Sequence, residues 1–484
     1  MKLLIRPAPE VAIKSKPVRR RQMRHLRQNV RKLLARLDPD IVVDGSWDRV
    51  DVEVPEGRSL DGVVVDELLR IPGISTIQEI AAFPFVSLED MAEKAVEAFA
   101  GRLDGKSFAV RARRHGEHDF CSVDLQRAVG SALMQSASGA RVDLRNPQVE
   151  VRIEVRDDQF HIAHRRHRGL GGYPLGTVEN VMTLVSGGYD SSVAAYLMLR
   201  RGLRSHFLFF NLGGVAHEVG VRQVVHYVWS RYGASHGAKF ISVPFEGVVE
   251  EIMRSVGHRH WGVVLKRQML KAASEIAQSN NAVGLVTGDA VAQVSSQTLT
   301  NLNVVDRASD EVVLRPLIAM DKESIIRIAR EIGTESYARS MPEYCGVISQ
   351  KPATRARLHR VEADEAEMDP RVLAQAIGAR EETPVEGLLE STTTPEEVDL
   401  VKTPAVTDVI IDVRHPAEGE LSPLVLTGNE VLKIPFYELS RKVPELPSNR
   451  QYLLYCDRGT MSQMHAVNLK ADGHANVKVY APAS

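Results

Sequence analysis

VMTLVSGGYDSSV, residues Val181–Val193, places an apolar run directly before a glycine-rich turn and a second apolar run. The first run, Val181–Val185, predicts a buried parallel strand, and the residues from Val193 onward predict a helix. Gly187 and Gly188 let the turn bend sharply and approach a ligand, while hydroxyl and backbone N–H groups converge at the helix N-terminus. Such a turn suits phosphate or pyrophosphate, and it differs from Walker A because no lysine follows the glycines. The alternative is an ordinary Gly-Gly turn.

Downstream of this turn, strand and helix patterns alternate as far as about Thr334. The predicted strands occupy Val181–Val185, Ser205–Phe210, Lys239–Pro244 and Val283–Thr287. This alternation is typical of a doubly wound parallel sheet, which binds ligands at the carboxyl ends of its strands. The sequence therefore predicts a ligand-binding α/β domain built around the glycine-rich turn.

Shorter α/β patterns flank this domain. Residues 1 to about 60 predict a strand, a basic helix and a strand pair around Ile41–Val54. The next unit, from Leu60 to about Arg168, begins with a predicted helix, and two more helices are predicted at Leu88–Ala100 and Leu125–Ser136. Its predicted strands are Ser107–Arg113, Phe120, Gln148–Val155 and Gln159–Ala163. A last unit, from about Thr403, predicts strands at Val409–Val413 and Tyr452–Tyr455. A chain of 484 residues has room for about three or four such units.

The composition is that of an ordinary globular protein, with 44% hydrophobic and 25% charged residues and with 61 basic residues against 62 acidic ones. No apolar run reaches the length of a membrane span, and the N-terminus lacks the apolar core of a signal peptide. The three cysteines, Cys121, Cys345 and Cys456, argue against a disulfide scaffold or a Cys₄ zinc site. They indicate a reducing, cytoplasmic setting.

Ten Lys or Arg residues and no acidic residue lie between Lys14 and Arg36. Leu26, Val30 and Leu33 recur at helical spacing, so this segment predicts a basic amphipathic helix. The bland alternative is a solvated charged face. Because charge of one sign is concentrated on one element, we favour a polyanion partner.

Polar residues follow the strand Val283–Thr287 in the segment GDAVAQVSSQT, Gly288–Thr298. A segment in this position emerges at the ligand-binding edge of the sheet. One carboxylate, two glutamines and two serines are enough to recognise a base edge and a ribose. Further on, Asp321 and Lys322 stand just before a predicted helix, where Asp321 fits an N-cap and Lys322 fits either a surface charge or a contact to phosphate.

Cys456 follows the strand Tyr452–Tyr455 and precedes a predicted helix, in the segment CDRGTMS. Backbone N–H groups and Arg458 aimed at the sulfur would favour a thiolate or a persulfide. The alternative is a buried, inert cysteine. Cys121 lies in a strand-like context and is interpreted as structural. For His161, His164 and His167 the spacing of three fits a metal site, but the neighbouring arginines favour RNA contact or plain solvation.

Several of these segments resemble known families. SGGYDS resembles the loop of the PP-loop ATP pyrophosphatases, and GDAVAQVSSQT resembles a segment of the 4-thiouridine synthases. FAVRARRHGEHDF followed by RAVGSAL resembles THUMP, the unit before it is similar to a ferredoxin-like domain, and CDRGTMS together with Asp412-Val413-Arg414 resembles a rhodanese. The order of units resembles the long, rhodanese-bearing 4-thiouridine synthases. It implies a ferredoxin-like domain at 1–60, THUMP at 61–168, a PP-loop domain at 177–390, a linker at 391–403 and a rhodanese domain at 404–484.

The resemblance implies roles for individual residues. It gives a catalytic role to Asp190, Lys322, Cys345 and Cys456, and it gives Asp190 a place beside Mg²⁺. ATP is expected at Leu184, Val185, Ser186, Gly187, Gly188, Asp190, Ser191, Phe209, Phe210, Lys266, Gly288 and Gln297. The persulfide loop is expected at Cys456, Asp457, Arg458, Gly459, Thr460, Met461 and Ser462. The tRNA contacts are expected at Lys14, Lys16, Arg19, Arg20, Arg21, Arg24, Arg111, Arg113 and Arg114.

The reaction implied by the resemblance has two halves. ATP adenylates O4 of the uridine at position eight of tRNA, and a cysteine desulfurase loads Cys456 with persulfide sulfur that replaces the oxygen, directly or as sulfide released by Cys345. The family also supplies sulfur to a thiamine thiazole carrier protein, and a homodimer fits this reading. Two alternatives stay open. One is a PP-loop ligase or amidotransferase with a regulatory rhodanese domain, and the other is a non-enzymatic RNA-binding protein.

Overall fold

The computed structural model describes residues 1–57, 60–212, 214–339, 352–390, 399–414, 419, 422–426, 428–434, 439–457, 460–471 and 473–482. These residues form two compact units. The first contains Met1–Thr177 with Arg200–Gly202, and the second contains Val178–Leu199 with Leu203–Ser484.

The first unit is built on one eight-stranded sheet, whose strand order is β2-β3-β1-β4-β8-β7-β5-β6. Its strands are β1 (Lys2–Pro7), β2 (Val42–Gly45), β3 (Val50–Glu53), β4 (Ile74–Pro84), β5 (Ser107–His115), β6 (Arg141–Val142), β7 (Val149–Arg156) and β8 (Gln159–Arg168). Its helices are α1 (Pro9–Ala12), α2 (Lys16–Leu37), α3 (Asp61–Leu69), α4 (Leu88–Leu103) and α5 (Ser122–Ser136).

The basic helix predicted near the N-terminus is α2. Its apolar stripe, which includes Leu26 and Val30, is buried. Two of its arginines bind the chain itself, because Arg27 and Arg31 donate to the carbonyl oxygens of Gly45 and Val43 on β2, at 2.6 and 2.7 Å. β2 is an edge strand, so these bonds satisfy carbonyl groups that have no neighbouring strand.

The long strand β4 was not predicted. It pairs antiparallel with β1 on one side and with β8 on the other, so one sheet runs through both predicted N-terminal domains. The predicted boundary at residue 60 falls between β3 and α3, whereas the sheet continues across it. The domain boundaries themselves stay predictions.

The strand predicted at Phe120 is wrong. Phe120 lies outside regular structure, and Cys121 is the exposed N-cap residue of α5. The capping geometry explains the difference, because the carboxylate of Asp124 accepts the backbone N–H of Cys121 at 2.8 Å and so starts the helix here. Behind α4 and α5, residues such as Phe108 and Phe160 form an apolar core.

The second unit contains a six-stranded sheet with the order β13-β12-β9-β10-β11-β14, in which every strand pair is parallel except β11 with β14. Its strands are β9 (Asn180–Leu184), β10 (Arg204–Asn211), β11 (Lys239–Pro244), β12 (Gly284–Val286), β13 (Val312–Leu314) and β14 (Glu381–Pro384). Its helices are α6 (Tyr189–Arg200), α7 (Gly214–Tyr232), α8 (Glu246–Ser255), α9 (Trp261–Ser279), α10 (Leu299–Asp306), α11 (Lys322–Ile332), α12 (Glu335–Arg339), α13 (Leu358–Ala366) and α14 (Pro370–Gly378). The predicted parallel sheet is confirmed, and α6 begins four residues earlier than predicted.

A five-stranded parallel sheet with the order β15-β19-β18-β16-β17 forms the C-terminal part of the second unit. Its elements are β15 (Leu400–Val401), β16 (Val409–Asp412), β17 (Glu430–Lys433), α15 (Leu439–Lys442), β18 (Tyr452–Tyr455), α16 (Thr460–Ala471) and β19 (Val477–Tyr480). None of the helices in the described ranges is long and apolar enough to cross a bilayer.

Candidate active site

The glycine-rich turn joins β9 to α6. Gly187 has a left-handed backbone (φ 79°), which the absence of a side chain permits. The hydroxyl of Ser191 accepts the backbone N–H of Ser186 at 3.2 Å and donates to the carbonyl of Gly188 at 3.3 Å. These bonds fold the turn over the first residues of α6, where unpaired N–H groups and the helix dipole favour an anion.

Asp190 lies in the first turn of α6 and forms an ion pair with Lys322 at the start of α11. The Lys322 ammonium is 2.9 Å from one carboxylate oxygen of Asp190 and 3.1 Å from the other. Gln293 donates to the same carboxylate at 2.8 Å, and it directly follows Ala292, which has a left-handed backbone (φ 63°). The structure thus brings together two predicted catalytic residues that are 132 positions apart.

Four side chains converge on the carboxylate of Asp289, which is 6% exposed. Its Oδ1 accepts from Lys266 Nζ at 2.5 Å and from Gln297 Nε2 at 3.0 Å. Its Oδ2 accepts from Thr287 Oγ1 at 2.7 Å and from Arg315 Nε at 3.3 Å. Burial by itself raises the pKa of Asp289, but the Lys266 ammonium and the other donors outweigh it and hold the pKa well below its ordinary value.

The two clusters meet at Gly288. A Cβ atom there would lie 2.8 Å from the carbonyl carbon of Asp190 and 3.0 Å from the backbone nitrogen of Ser191. Only glycine allows the segment after β12 to approach the glycine-rich turn this closely. The predicted residues Lys266, Gly288 and Gln297 therefore lie beside the turn at the carboxyl edge of the sheet.

The other predicted ATP residues line the same edge but are largely covered. Val185, Phe209 and Phe210 are buried, and Leu184 is half-buried. Phe209 packs edge-on against His217, with ring centroids 4.9 Å apart, and His217 Nε2 is 3.2 Å from the carbonyl oxygen of Ser186. These residues can contact a nucleotide through backbone groups and the rims of their side chains.

A magnesium ion fits this site only in company with phosphates. Asp190 is a single carboxylate, and it already accepts hydrogen bonds from Lys322 and Gln293, so it can offer a metal ion only part of a coordination shell. Within the described ranges, no group of three or more His, Cys, Asp or Glu residues is suited to a metal, and this includes the three histidines of β8. Mg²⁺ commonly takes one carboxylate, waters and substrate phosphates, so Asp190 could hold it beside a bound nucleotide.

Cys456 lies at the carboxyl end of β18, opposite the N-terminus of α16, and is 5% exposed. Its sulfur accepts the backbone N–H of Ser462 at 3.3 Å and lies 3.4 Å from the Ser462 hydroxyl oxygen. A helix N-terminus that donates to sulfur favours the thiolate or a persulfide anion. Cys345, Arg458 and Gly459 lie outside the described residues, and so do the side chains of Thr460 and Met461.

An arginine beside Cys456 holds the start of the loop. Arg414, 2% exposed at its side chain, pairs with Asp412 at 2.8 Å and with Asp457 at 2.7 Å. The hydrogen bonds from Arg414 to Asp412 raise the pKa of the guanidinium above its ordinary value, so Arg414 stays charged. Tyr455 also donates to Asp457, at 3.1 Å. The backbone of Asp457 is thereby fixed next to the sulfur.

The predicted tRNA-contacting residues divide into two groups in the first unit. Three of them bind the chain itself: Arg19 donates to Ala12, Arg111 to Leu144 and Arg114 to Gly116. The remaining six are exposed, namely Lys14, Lys16, Arg20, Arg21, Arg24 and Arg113.

A groove of about 690 Å³ opens on the sheet of the first unit. Its lining includes five arginines and two carboxylates, Arg6, Arg111, Arg113, Arg152, Arg166, Asp48 and Glu154. Arg6 is neutralised by Asp48 at 3.0 Å and by Glu154 at 2.6 Å. Arg113 and Arg166 are exposed and have no ion-pair partner in the part of the chain that is described. The groove therefore carries a positive rim.

Sequence reasoning missed Asp289, Gln293 and Arg315 as site residues. Asp289 and Gln293 lie in the polar segment GDAVAQVSSQT. The sequence of this segment does not show which of its side chains form hydrogen bonds within the protein and which are left to bind a ligand. Arg315 precedes a proline after β13, and its contact with Asp289 depends on the strand order of the sheet.

Comparison with known proteins shows the family to which the chain belongs. The profile of the family described as "Thiamine biosynthesis protein (ThiI)" matches residues 176–369, and that of the THUMP domain matches residues 85–165. A solved 4-thiouridine synthetase in complex with RNA and ATP superposes with a TM-score of 0.69 at 25% identity, over 79% of this chain and 99% of that one. Curated relatives named tRNA sulfurtransferase come from Marinobacter nauticus, 77% identical, and Azotobacter vinelandii, 48% identical, and each alignment covers 100% of both chains. At this identity over its whole length, the chain belongs to the tRNA sulfurtransferase family of enzymes.

Proposed function

We propose that this chain adenylates O4 of the uridine at position eight of tRNA with ATP and replaces that oxygen with persulfide sulfur, giving 4-thiouridine. The Asp190–Lys322 ion pair at the glycine-rich turn is the observation that carries the proposal. Support comes from relatives named tRNA sulfurtransferase and from the solved 4-thiouridine synthetase, which binds RNA and ATP.

The activation half uses the edge of the parallel sheet. The N–H groups at the start of α6 bind the phosphates. O4 of the uracil attacks the α-phosphorus as the bond to the leaving pyrophosphate breaks, and the proton on N3 of the base is lost to water. Lys322, held at 2.9 Å by Asp190, stabilises the negative charge that grows on the departing pyrophosphate. Asp190 would also hold Mg²⁺, which supplies further neutralisation of phosphate charge when bound.

The sulfur half uses Cys456. A cysteine desulfurase loads the thiolate with one sulfur atom, and the N–H of Ser462 stabilises the resulting persulfide anion. The terminal sulfur attacks C4 of the uracil and displaces AMP, and the Cys345 thiolate then attacks Cys456 Sγ and releases the thiolated base. Alternatively, Cys345 attacks first and releases sulfide, which displaces AMP. Both routes end in a Cys345–Cys456 disulfide, which a dithiol reductant must reopen.

The tRNA is expected on the first unit, along the groove and the six exposed basic side chains. Arg113 and Arg166 at the groove and Arg20, Arg21 and Arg24 on α2 can each contact a backbone phosphate. The neighbouring carboxylates of Asp48 and Glu154 are paired with three arginines, Arg6, Arg49 and Arg156, so they oppose RNA only weakly.

Further partners follow from the family. The description "Thiamine biosynthesis protein" supports a second acceptor for the persulfide sulfur of Cys456, a thiamine sulfur-carrier protein. We also propose a homodimer in the cytoplasm, where tRNA is found and thiols stay reduced.

Mass spectrometry of nucleosides tests the proposal. Unmodified tRNA is incubated with the chain, ATP, Mg²⁺, cysteine, a cysteine desulfurase and a dithiol reductant. We expect 4-thiouridine at position eight only, with one AMP formed per thiolated base. Amidated or unmodified uridine in the presence of ATP turnover would favour the ligase alternative.

A further inference from the structure

Asp289 is a buried carboxylate that the proposed reaction does not use. Its four donors come from separate parts of the second unit: Lys266 from α9, Thr287 from the end of β12, Gln297 from the turn before α10, and Arg315 after β13. Two donors on each oxygen fill the four lone-pair positions of a carboxylate. Asp289 therefore has no remaining capacity to ligate a metal ion or to accept a proton from a substrate.

The side-chain amide of Gln297 has a hydrogen-bond partner for its nitrogen but none, in the described part of the chain, for its oxygen. Its Nε2 must face Asp289, because a carboxylate only accepts hydrogen bonds. Its Oε1 is buried and has no hydrogen-bond partner in the described part of the chain, and Gln297 as a whole is 8% exposed. A buried acceptor without a donor is costly, so this orientation fits a site that a ligand completes.

We propose that Asp289 is the positioning residue of the nucleotide site, and that it fixes the Gln297 amide so that its carbonyl oxygen accepts a hydrogen bond from the nucleoside. The inference rests on the proposed ATP-dependent function and deepens it. The donor on the ligand is either the 6-amino group of adenine or a ribose hydroxyl, since both are N–H or O–H donors at the nucleoside end of ATP.

Asp289 acts on more than one neighbour of the nucleotide. It holds the ammonium of Lys266 at 2.5 Å, and it is itself tied to Arg315, whose other nitrogens pair with Asp306. Since Gly288 presses against Asp190, a shift of Asp289 would also disturb the turn that binds the phosphates.

Asp289→Asn tests this role in the full-length chain. The substitution keeps the shape but removes the negative charge that attracts Lys266 and Arg315 and one of the two acceptor oxygens, so the cluster that fixes the Gln297 amide is weakened. We expect the KM for ATP in tRNA-dependent pyrophosphate release to rise about tenfold or more, which corresponds to the loss of one strong hydrogen bond, with a smaller change in kcat.

Nucleotide analogues identify the donor. Purine riboside triphosphate lacks the 6-amino group, and 2′-deoxy-ATP and 3′-deoxy-ATP each lack one hydroxyl. We expect the wild type to bind at least one analogue about tenfold more weakly than ATP, and we expect Asp289→Asn to lose that discrimination. Gln297→Met, which keeps the carboxylate, should lose it as well. Unchanged discrimination in either variant would overturn the proposal.

Glu365→Gln is the matched control. The side chain of Glu365, on α13, is buried to a similar extent and accepts from Arg267 at 2.9 Å and from Lys271 at 3.0 Å, two residues of α9, the helix that also carries Lys266. Both variants should lower the melting temperature, but only Asp289→Asn should change the KM and the discrimination. If both variants changed the KM for ATP and the discrimination equally, Asp289 would have only a structural role. Nucleotide binding is also measured by thermal shift without tRNA. If the chain bound ATP but thiolated no tRNA, the proposed function would be contradicted while the analogues would still test the roles of Asp289 and Gln297.

Discussion

The carboxylate of Asp190 and the ammonium of Lys322 make a contact that neither helix needs for its own stability, since each residue lies in the first turn of its helix and is partly exposed. Asp190→Ala should lower tRNA adenylation by about 100-fold or more, because Lys322 loses the partner that orients it toward the leaving group. The measurement is tRNA-dependent pyrophosphate release, with persulfide loading of Cys456 unchanged.

Asp321→Ala is the control for this prediction. Asp321 caps α11 by accepting the backbone N–H of Ser324 at 2.7 Å, directly beside Lys322. Its loss should lower the stability of the chain slightly and leave adenylation nearly intact. If the two alanine variants were equally inactive, the defect would come from α11 and not from the ion pair.

Of the two described cysteines, Cys456 is buried and Cys121 is exposed, and only Cys456 is expected to carry sulfur. Cys456→Ala should block thiolation when a desulfurase is the sulfur donor but spare ATP-dependent adenylation, because Cys456 follows a strand of the five-stranded sheet whereas Asp190 follows a strand of the six-stranded sheet. Cys121→Ala should leave both steps unchanged, since Cys121 is exposed at the start of α5. Full thiolation by the Cys456 variant would contradict the assigned nucleophile.

The glycine-rich turn is supported from behind by α7. Burial lowers the pKa of His217 below its ordinary value, so the ring is neutral near pH 7 and its Nε2 donates to the carbonyl of Ser186. Below about pH 6.5 the unfolded chain binds a proton that the folded chain resists, so this residue makes stability fall as the pH falls. His217→Phe keeps the ring packing against Phe209 and should lose less unfolding free energy between about pH 7 and about pH 5 than the wild type. Parallel curves in urea titrations would contradict this.

The elements that could be predicted are those whose pattern is local. The strands β9 and β10 are short apolar runs, and α2 has a continuous helical stripe, so their sequences suffice. The strand β4 lacks such a pattern, because its register shifts between Glu79 and Ile80 and seven of its 11 residues are only partly buried.

The site followed the same rule. The turn at Asp190 can be predicted because its residues are adjacent in the sequence. The residues predicted to lie near it are found at the carboxyl edge of the parallel sheet. The hydrogen bonds of Asp289 join residues 23 and 26 positions away, and only the strand order β13-β12-β9 brings them together. The sequence around Asp289 does not indicate that its carboxylate accepts hydrogen bonds from other side chains of the protein.

In the whole molecule, the proposed sites of adenylation and persulfide loading belong to two different sheets of the second unit, while the basic groove belongs to the first unit. RNA affinity can therefore be changed without touching either chemistry. Replacing Arg113 and Arg166 together by alanine should weaken tRNA binding about equally for all tRNA sequences, because phosphate contacts carry no sequence information.

The salt dependence of this double variant gives the sharpest measurement. Each lost phosphate contact should reduce the slope of log affinity against log salt by about 0.7 to 0.9. Arg327→Ala on α11, an exposed arginine that pairs with Glu331 at 3.6 Å, should leave the slope unchanged. Persulfide loading of Cys456 should stay at the wild-type level in both variants. A double variant with the wild-type slope would show that tRNA phosphates do not lie along this groove, and the four exposed basic residues of α2, Lys16, Arg20, Arg21 and Arg24, would then have to be tested.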